Sequence, residues 1–102
     1  MIAAVAERTA DIERLCGQHH VQRLALFGSA ATGRHRSGTS DFDFVVEFQP
    51  LPAGSYADSY FGLLEDLEQL LGGPVELVVG SAIRNPYFRQ SVEQTSAPLY
   101  EA

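Results

Sequence analysis

The sequence predicts an α/β (α+β) domain in which a small mixed sheet of about three strands packs against helices. Three observations carry that expectation. The segment "DFDFVVEF" (residues 41–48) alternates with period two: Phe42, Phe44, Val46 and Phe48 fall on one side, Asp41, Asp43, Val45 and Glu47 on the other. Residues 56–71 carry an apolar stripe at helical spacing, Tyr60, Leu63, Leu64, Leu67, Leu70 and Leu71, opposite a wet face of Glu65, Asp66, Glu68 and Gln69. Strand-like and helix-like segments follow one another without repeat, linker or low-complexity run, so a single domain is expected over residues 1–102.

Each element has its own local reason. Residues 3–17 read as one helix, with Val5, Ile12, Leu15 and Cys16 near one stripe and Gly17 as a stop. "VQRLALF" (21–27) reads as a strand ended by Gly28-Ser29, and "AATGRHRSGTS" as a helical turn or loop broken by Gly33 and Gly38. "QPLPAGS" suits neither a helix nor an inner strand, because two prolines remove N–H donors. Gly72-Gly73-Pro74 stops the long helix, and "VELVV" (75–79) is a short strand. Pro86 suits the first turn of a last helix, "PYFRQSVEQ".

Charge and composition narrow the function. The chain has seven arginines, no lysine and 13 acids, for a net charge of −6. That balance disfavours a surface that wraps nucleic acid, which needs clustered cations to displace counterions. No apolar run approaches the ~18 residues of a membrane span. The first residues lack the basic start of a signal peptide. Cys16 is the sole cysteine, which reads as a small buried thiol and excludes an internal disulfide. Together these features point to the cytoplasm. From Gly17 to Ser40 there is no acid, whereas Arg23, Arg34, Arg36 and all three histidines lie there, so a small anion could be held by that stretch. His19 and His20 are adjacent at a helix end and read as surface residues. His35 lies between two arginines and is a candidate phosphate contact.

Three features then need a joint explanation. Asp41 and Asp43, two apart on a strand, project to the same side at a spacing of ~6.6 Å. Carboxylates that close repel unless a proton or cation intervenes, and Mg²⁺ bridges such groups to phosphates. An edge strand with acids against aggregation is the plainer explanation of "D-x-D" alone. Gly28-Ser29, between a strand and a helical turn, is either a phosphate-binding turn or an ordinary N-cap. Glu76 in the middle of "VELVV" either faces water at an edge or shares the metals of the Asp pair. Glu47, further along the Asp41/Asp43 face, reads as a surface acid.

In order, "LFGSAATGRHRSGTSDFDFVVEF" places G-S first and D-x-D at the start of the next strand, with a third acid on a later strand. This resembles the minimal nucleotidyltransferase (MNT) domains of the DNA polymerase β superfamily, down to the Ser40 before the first Asp. "NPYFRQSVEQTSAPLY" is similar to their C-terminal helix and final Tyr. The resemblance implies a polymerase β-type nucleotidyltransferase fold that uses ATP with two Mg²⁺ ions. By position, Gly28 and Ser29 would cradle the triphosphate, Asp41 and Asp43 would hold both metals, and Glu76 would take the place of the usual third Asp. In that role Glu76 would ligate the metal beside the attacking hydroxyl. Thr32 stands where relatives commonly carry a basic residue.

The resemblance further implies an antitoxin whose partner is a helical HEPN-type toxin, inactivated by transfer of AMP to a tyrosine hydroxyl. The alternative is an antitoxin of weak or absent activity that neutralises its partner by binding alone. Transfer to a small molecule is the lesser expectation, since such enzymes shape the acceptor site with a second domain. A complex with the partner is expected, self-association is left open, and no direct contact with nucleic acid or membrane is expected.

Overall fold

The computed structural model describes residues 1–33 and 41–102. In chain order the elements are α1 (Ala3–Ala6), α2 (Thr9–Gln18), β1 (Val21–Phe27), α3 (Ser29–Thr32), β2 (Phe42–Phe48), α4 (Ser55–Leu71), β3 (Val75–Val79), a 3-10 turn (Gly80–Ala82), α5 (Pro86–Thr95) and β4 (Ala97–Glu101). The strands form one mixed sheet in the order β3-β2-β1-β4. β1 runs antiparallel to both β2 and β4, and β2 runs parallel to β3. Among the described residues no helix is long and apolar enough to cross a membrane.

The period-two pattern of β2 divides the molecule. Phe42, Phe44 and Val46 enter the main core with Leu24 and Leu26 of β1 and Leu77 of β3. Val5, Ile12, Leu15 and Cys16 cover that face from the N-terminal helices, and Leu63 and Leu67 cover it from α4. Among the described residues the opposite face carries a smaller cluster, Phe27, Ile83 and Val92, with Val45 and Val78 packed against it. α4 ends at Gly72, whose φ of 70° suits a left-handed cap; its N–H donates to the Glu68 carbonyl at 2.9 Å.

Two elements differ from the sequence expectation. The expected helix over residues 3–17 is two helices, because the chain turns at Glu7 and Arg8, where Arg8 adopts φ −119°, ψ 19°. One long-range bond and one local bond flank the break. The Ile2 N–H donates to the Ala30 carbonyl at 3.0 Å, tying α1 to α3, while the Arg8 guanidinium donates to the Ala4 carbonyl at 3.0 Å. On either side of the break, Val5 and Ile12 both reach zero exposure. The second difference is a fourth strand, β4, holding the final Tyr100 opposite Leu24. Pro98 masks it in the sequence, yet an edge strand tolerates a missing N–H.

His20 is exposed as expected, whereas His19 is only partly exposed. Its Nε2 lies 2.6 Å from Asp66 Oδ2 of α4, and its side chain is 19% exposed. Gly62 makes room for it: a Cβ there would stand 2.7 Å from His19 Cε1. Glu47 also departs from expectation, being half-buried with Oε1 beside Gly80.

Two measurements test this packing. Phe44 is wholly buried between the sheet and the helices, so Phe44→Ala should lower unfolding free energy by about 3–5 kcal/mol in chemical denaturation. Cys16 is buried, and desolvation, with the Glu13 charge second, pushes its thiol up to about 12. The nucleophilic thiolate is then scarce. Alkylation at pH 8 should be slow in the native protein and fast in denaturant; equal rates would contradict the burial.

Candidate active site

The sheet register assembles the site. β1 ends at Phe27, which pairs with Asp43 of β2, and Asp43 pairs across the parallel ladder with Glu76 of β3. The Phe42 N–H donates to the Pro74 carbonyl at 3.0 Å, seating the start of β3 beside the start of β2. Asp43 and Glu76 share the parity of Val45 and Val78, so they lie on the face opposite the main core. Glu76 is exposed on an edge strand, Asp43 is half-buried, and Asp41 is exposed just before β2 begins.

Gly28 closes the row. Its φ of 72° and ψ of −149° form a backbone conformation that side chains disfavour. A Cβ built there would stand 2.6 Å from Asp43 Oδ2. The glycine therefore serves two needs, the turn out of β1 and the close approach of an Asp43 oxygen. Ser29 opens α3, a single turn in which the Thr32 N–H donates to the Gly28 carbonyl at 3.2 Å. The Thr32 hydroxyl also donates to that carbonyl at 3.2 Å, so Thr32 acts within the turn.

Of the sequence candidates, Gly28, Ser29, Asp43 and Glu76 come from the adjoining ends of β1, β2 and β3, with Asp41 at the mouth of β2. Among the described residues, no three carboxylate, imidazole or thiol side chains are already gathered around one point. The candidates Arg34, His35, Arg36 and Ser40 lie outside the described residues.

One contact of the Gly28 turn escaped the sequence reading. The Gly28 N–H donates to the Thr95 hydroxyl at 3.1 Å, across 67 positions of chain. No local pattern marks Thr95, which reads simply as the end of α5. A concavity of about 570 Å³ lies elsewhere on this face, bounded by Arg23, Ala25, Val45, Glu47, Val92 and Leu99 among others; none of the five candidates lines it.

Comparison with known proteins bears on this arrangement. Residues 11–97 match the family model of the nucleotidyltransferase domain. A Methanocaldococcus jannaschii protein, provisionally named a protein adenylyltransferase, is 39% identical over 77 residues, covering 76% of this chain and 75% of its own. A solved structure of a provisionally assigned minimal nucleotidyltransferase has a TM-score of 0.76 at 32% identity, covering 93% of this chain and 92% of that one. The fold is shared with a toxin–antitoxin crystallised with AMP-PNP (TM-score 0.70, 22% identity, 92% of this chain and 73% of that one). It is shared also with a complex of a tri-AMPylated Shewanella oneidensis HEPN toxin and its MNT antitoxin (TM-score 0.65, 19% identity, 95% of this chain and 72% of that one). With the family model spanning most of its length and a minimal nucleotidyltransferase structure matching it nearly end to end, the chain belongs to the nucleotidyltransferase domain family.

Proposed function

We propose that this chain transfers AMP from ATP, with Mg²⁺, to a tyrosine hydroxyl of a HEPN-type partner toxin, and so serves as the antitoxin of the pair. The observation that carries the reading is the row formed by the Gly28 turn, Asp43 and Glu76 across three neighbouring strands. A relative provisionally named a protein adenylyltransferase supports the reaction class. The AMP-PNP of one structural neighbour and the AMPylated toxin of another support the nucleotide and the partner.

The donor chemistry fits the metal, since Asp41, Asp43 and Glu76 offer hard carboxylate oxygens at the mouths of β2 and β3. Asp41 and Asp43 would hold the ions, with Glu76 ligating the one nearer the acceptor. When bound, Mg²⁺ supplies neutralisation of phosphate charge and activation of the attacking oxygen. The side-chain-free Gly28 lets the Asp43 carboxylate sit against the turn, beside the start of α3, and the Ser29 hydroxyl donates to a phosphate oxygen. The acceptor oxygen forms a bond to the α-phosphorus, the bond to the bridging oxygen breaks, and pyrophosphate departs. The Glu76 carboxylate, exposed at the sheet edge, would accept the hydroxyl proton.

Incubating the protein with its partner toxin, Mg²⁺ and ATP labelled at the α-phosphate should place label on the toxin. Asp41→Ala with Asp43→Ala should remove it, as should chelation of the metal. Label that survives the double change would sink the site assignment. A stable, neutralised complex without label would instead favour inhibition by binding alone. Gly28→Ala should also reduce transfer at least ~10-fold, because the new methyl meets Asp43 Oδ2 and the backbone conformation costs a side chain about 1–3 kcal/mol.

A further inference from the structure

We infer that Thr95 is a positioning residue for the nucleotide-binding turn, its hydroxyl holding the Gly28 peptide in the orientation that receives the triphosphate. This rests on reading Gly28 and Ser29 as that turn. The geometry is a two-bond relay. The Thr95 Oγ1 donates to the Ser91 carbonyl at 2.9 Å, one helical turn back along α5. With its proton committed there, the same oxygen presents lone-pair density to the Gly28 N–H at 3.1 Å.

The contact meets the turn where the backbone is least self-supporting. Gly28 has the freest backbone of any residue type, and here it occupies φ 72°, ψ −149°. Its carbonyl is held from inside α3 by the Thr32 N–H and hydroxyl. Its N–H is held from outside by Thr95. The preceding residue is braced by the same helix. The Phe27 ring meets Phe88 edge-on, with centroids 6.0 Å apart and planes at 74°, and Val92 packs in the Phe27 cluster. α5 thus grips Phe27 through two apolar residues and Gly28 through one hydroxyl.

A consequence follows for binding. The Gly28 N–H is already committed, so Gly28 contributes shape while the Ser29 hydroxyl donates to phosphate. Loss of the Thr95 acceptor loosens the N–H side of the turn while Thr32 still holds the carbonyl side, and nucleotide affinity falls although no group that touches the nucleotide has changed.

The test compares Thr95→Val, which keeps the shape but lacks the acceptor, with Thr95→Ser, which keeps the hydroxyl. Thr95→Ala is a second loss variant should the valine fail to fold. AMP-PNP with Mg²⁺ is titrated into each purified protein, and thermal unfolding is followed without nucleotide. Loss of one hydrogen bond of ordinary net strength predicts a Kd raised about five- to tenfold for the valine and alanine variants, and within about twofold of wild type for serine. A purely structural role would instead lower the unfolding midpoint and leave the Kd of folded protein unchanged, which overturns the inference. Ser29→Ala separates the two levels. If it weakens binding while Thr95→Val does not, only the role of Thr95 fails. If wild type does not bind AMP-PNP, the reading of the turn fails and takes this inference with it.

Discussion

The register of β2 between β1 and β3 is the constraint on which the rest of the site depends. Antiparallel pairing sets Phe27 against Asp43, and parallel pairing sets Asp43 against Glu76. Because side chains alternate with period two, a slip of one residue would send Asp43 into the main core and Phe44 into water. Phe42, Phe44 and Val46, each nearly or wholly buried, make that slip prohibitive. The apolar half of the strand thus fixes the placement of the acidic half.

The two sheet faces are unequal, and the inequality is what leaves room for chemistry. The N-terminal helices and α4 cover one face with a continuous core. α5 covers only part of the other, where its Val92 packs with Phe27 of β1 and with Ile83, which follows the 3-10 turn. Asp43 and Glu76 therefore lie at the margin of a small apolar cluster and keep contact with solvent, as acids without deep burial require. A second full layer of helices would have buried them at a high desolvation cost.

α5 also links distant parts of the chain. Its start is fixed by the Asn85 side chain, which accepts from the Tyr87 and Phe88 N–H groups, and its end by the Thr95 bond to Gly28. β4 follows at once and pairs beside β1, so the segment after Gly80 wraps the strand that leads into the glycine turn from both its face and its edge. The first turn of the chain reaches the same region through the bond from Ile2 to Ala30.

The sequence by itself determined the strand of alternating Phe and acid, the leucine-striped α4, the turn at Gly28-Ser29 and the order of these parts. Those are local patterns, in which each residue's neighbours two, three or four positions away carry the information. The candidates Gly28, Ser29, Asp41, Asp43 and Glu76 were legible through their joint order along the chain rather than through any one of them, and the sheet sets them at the adjoining ends of three strands. What only the tertiary structure decided were contacts between segments: the pairing of His19 with Asp66, the strand hidden behind Pro98 and the hold of Thr95 on Gly28. None of these has a local signal. Each depends on which distant atoms the completed sheet brings within a hydrogen bond's reach, and that distance is set by packing rather than by spacing along the chain.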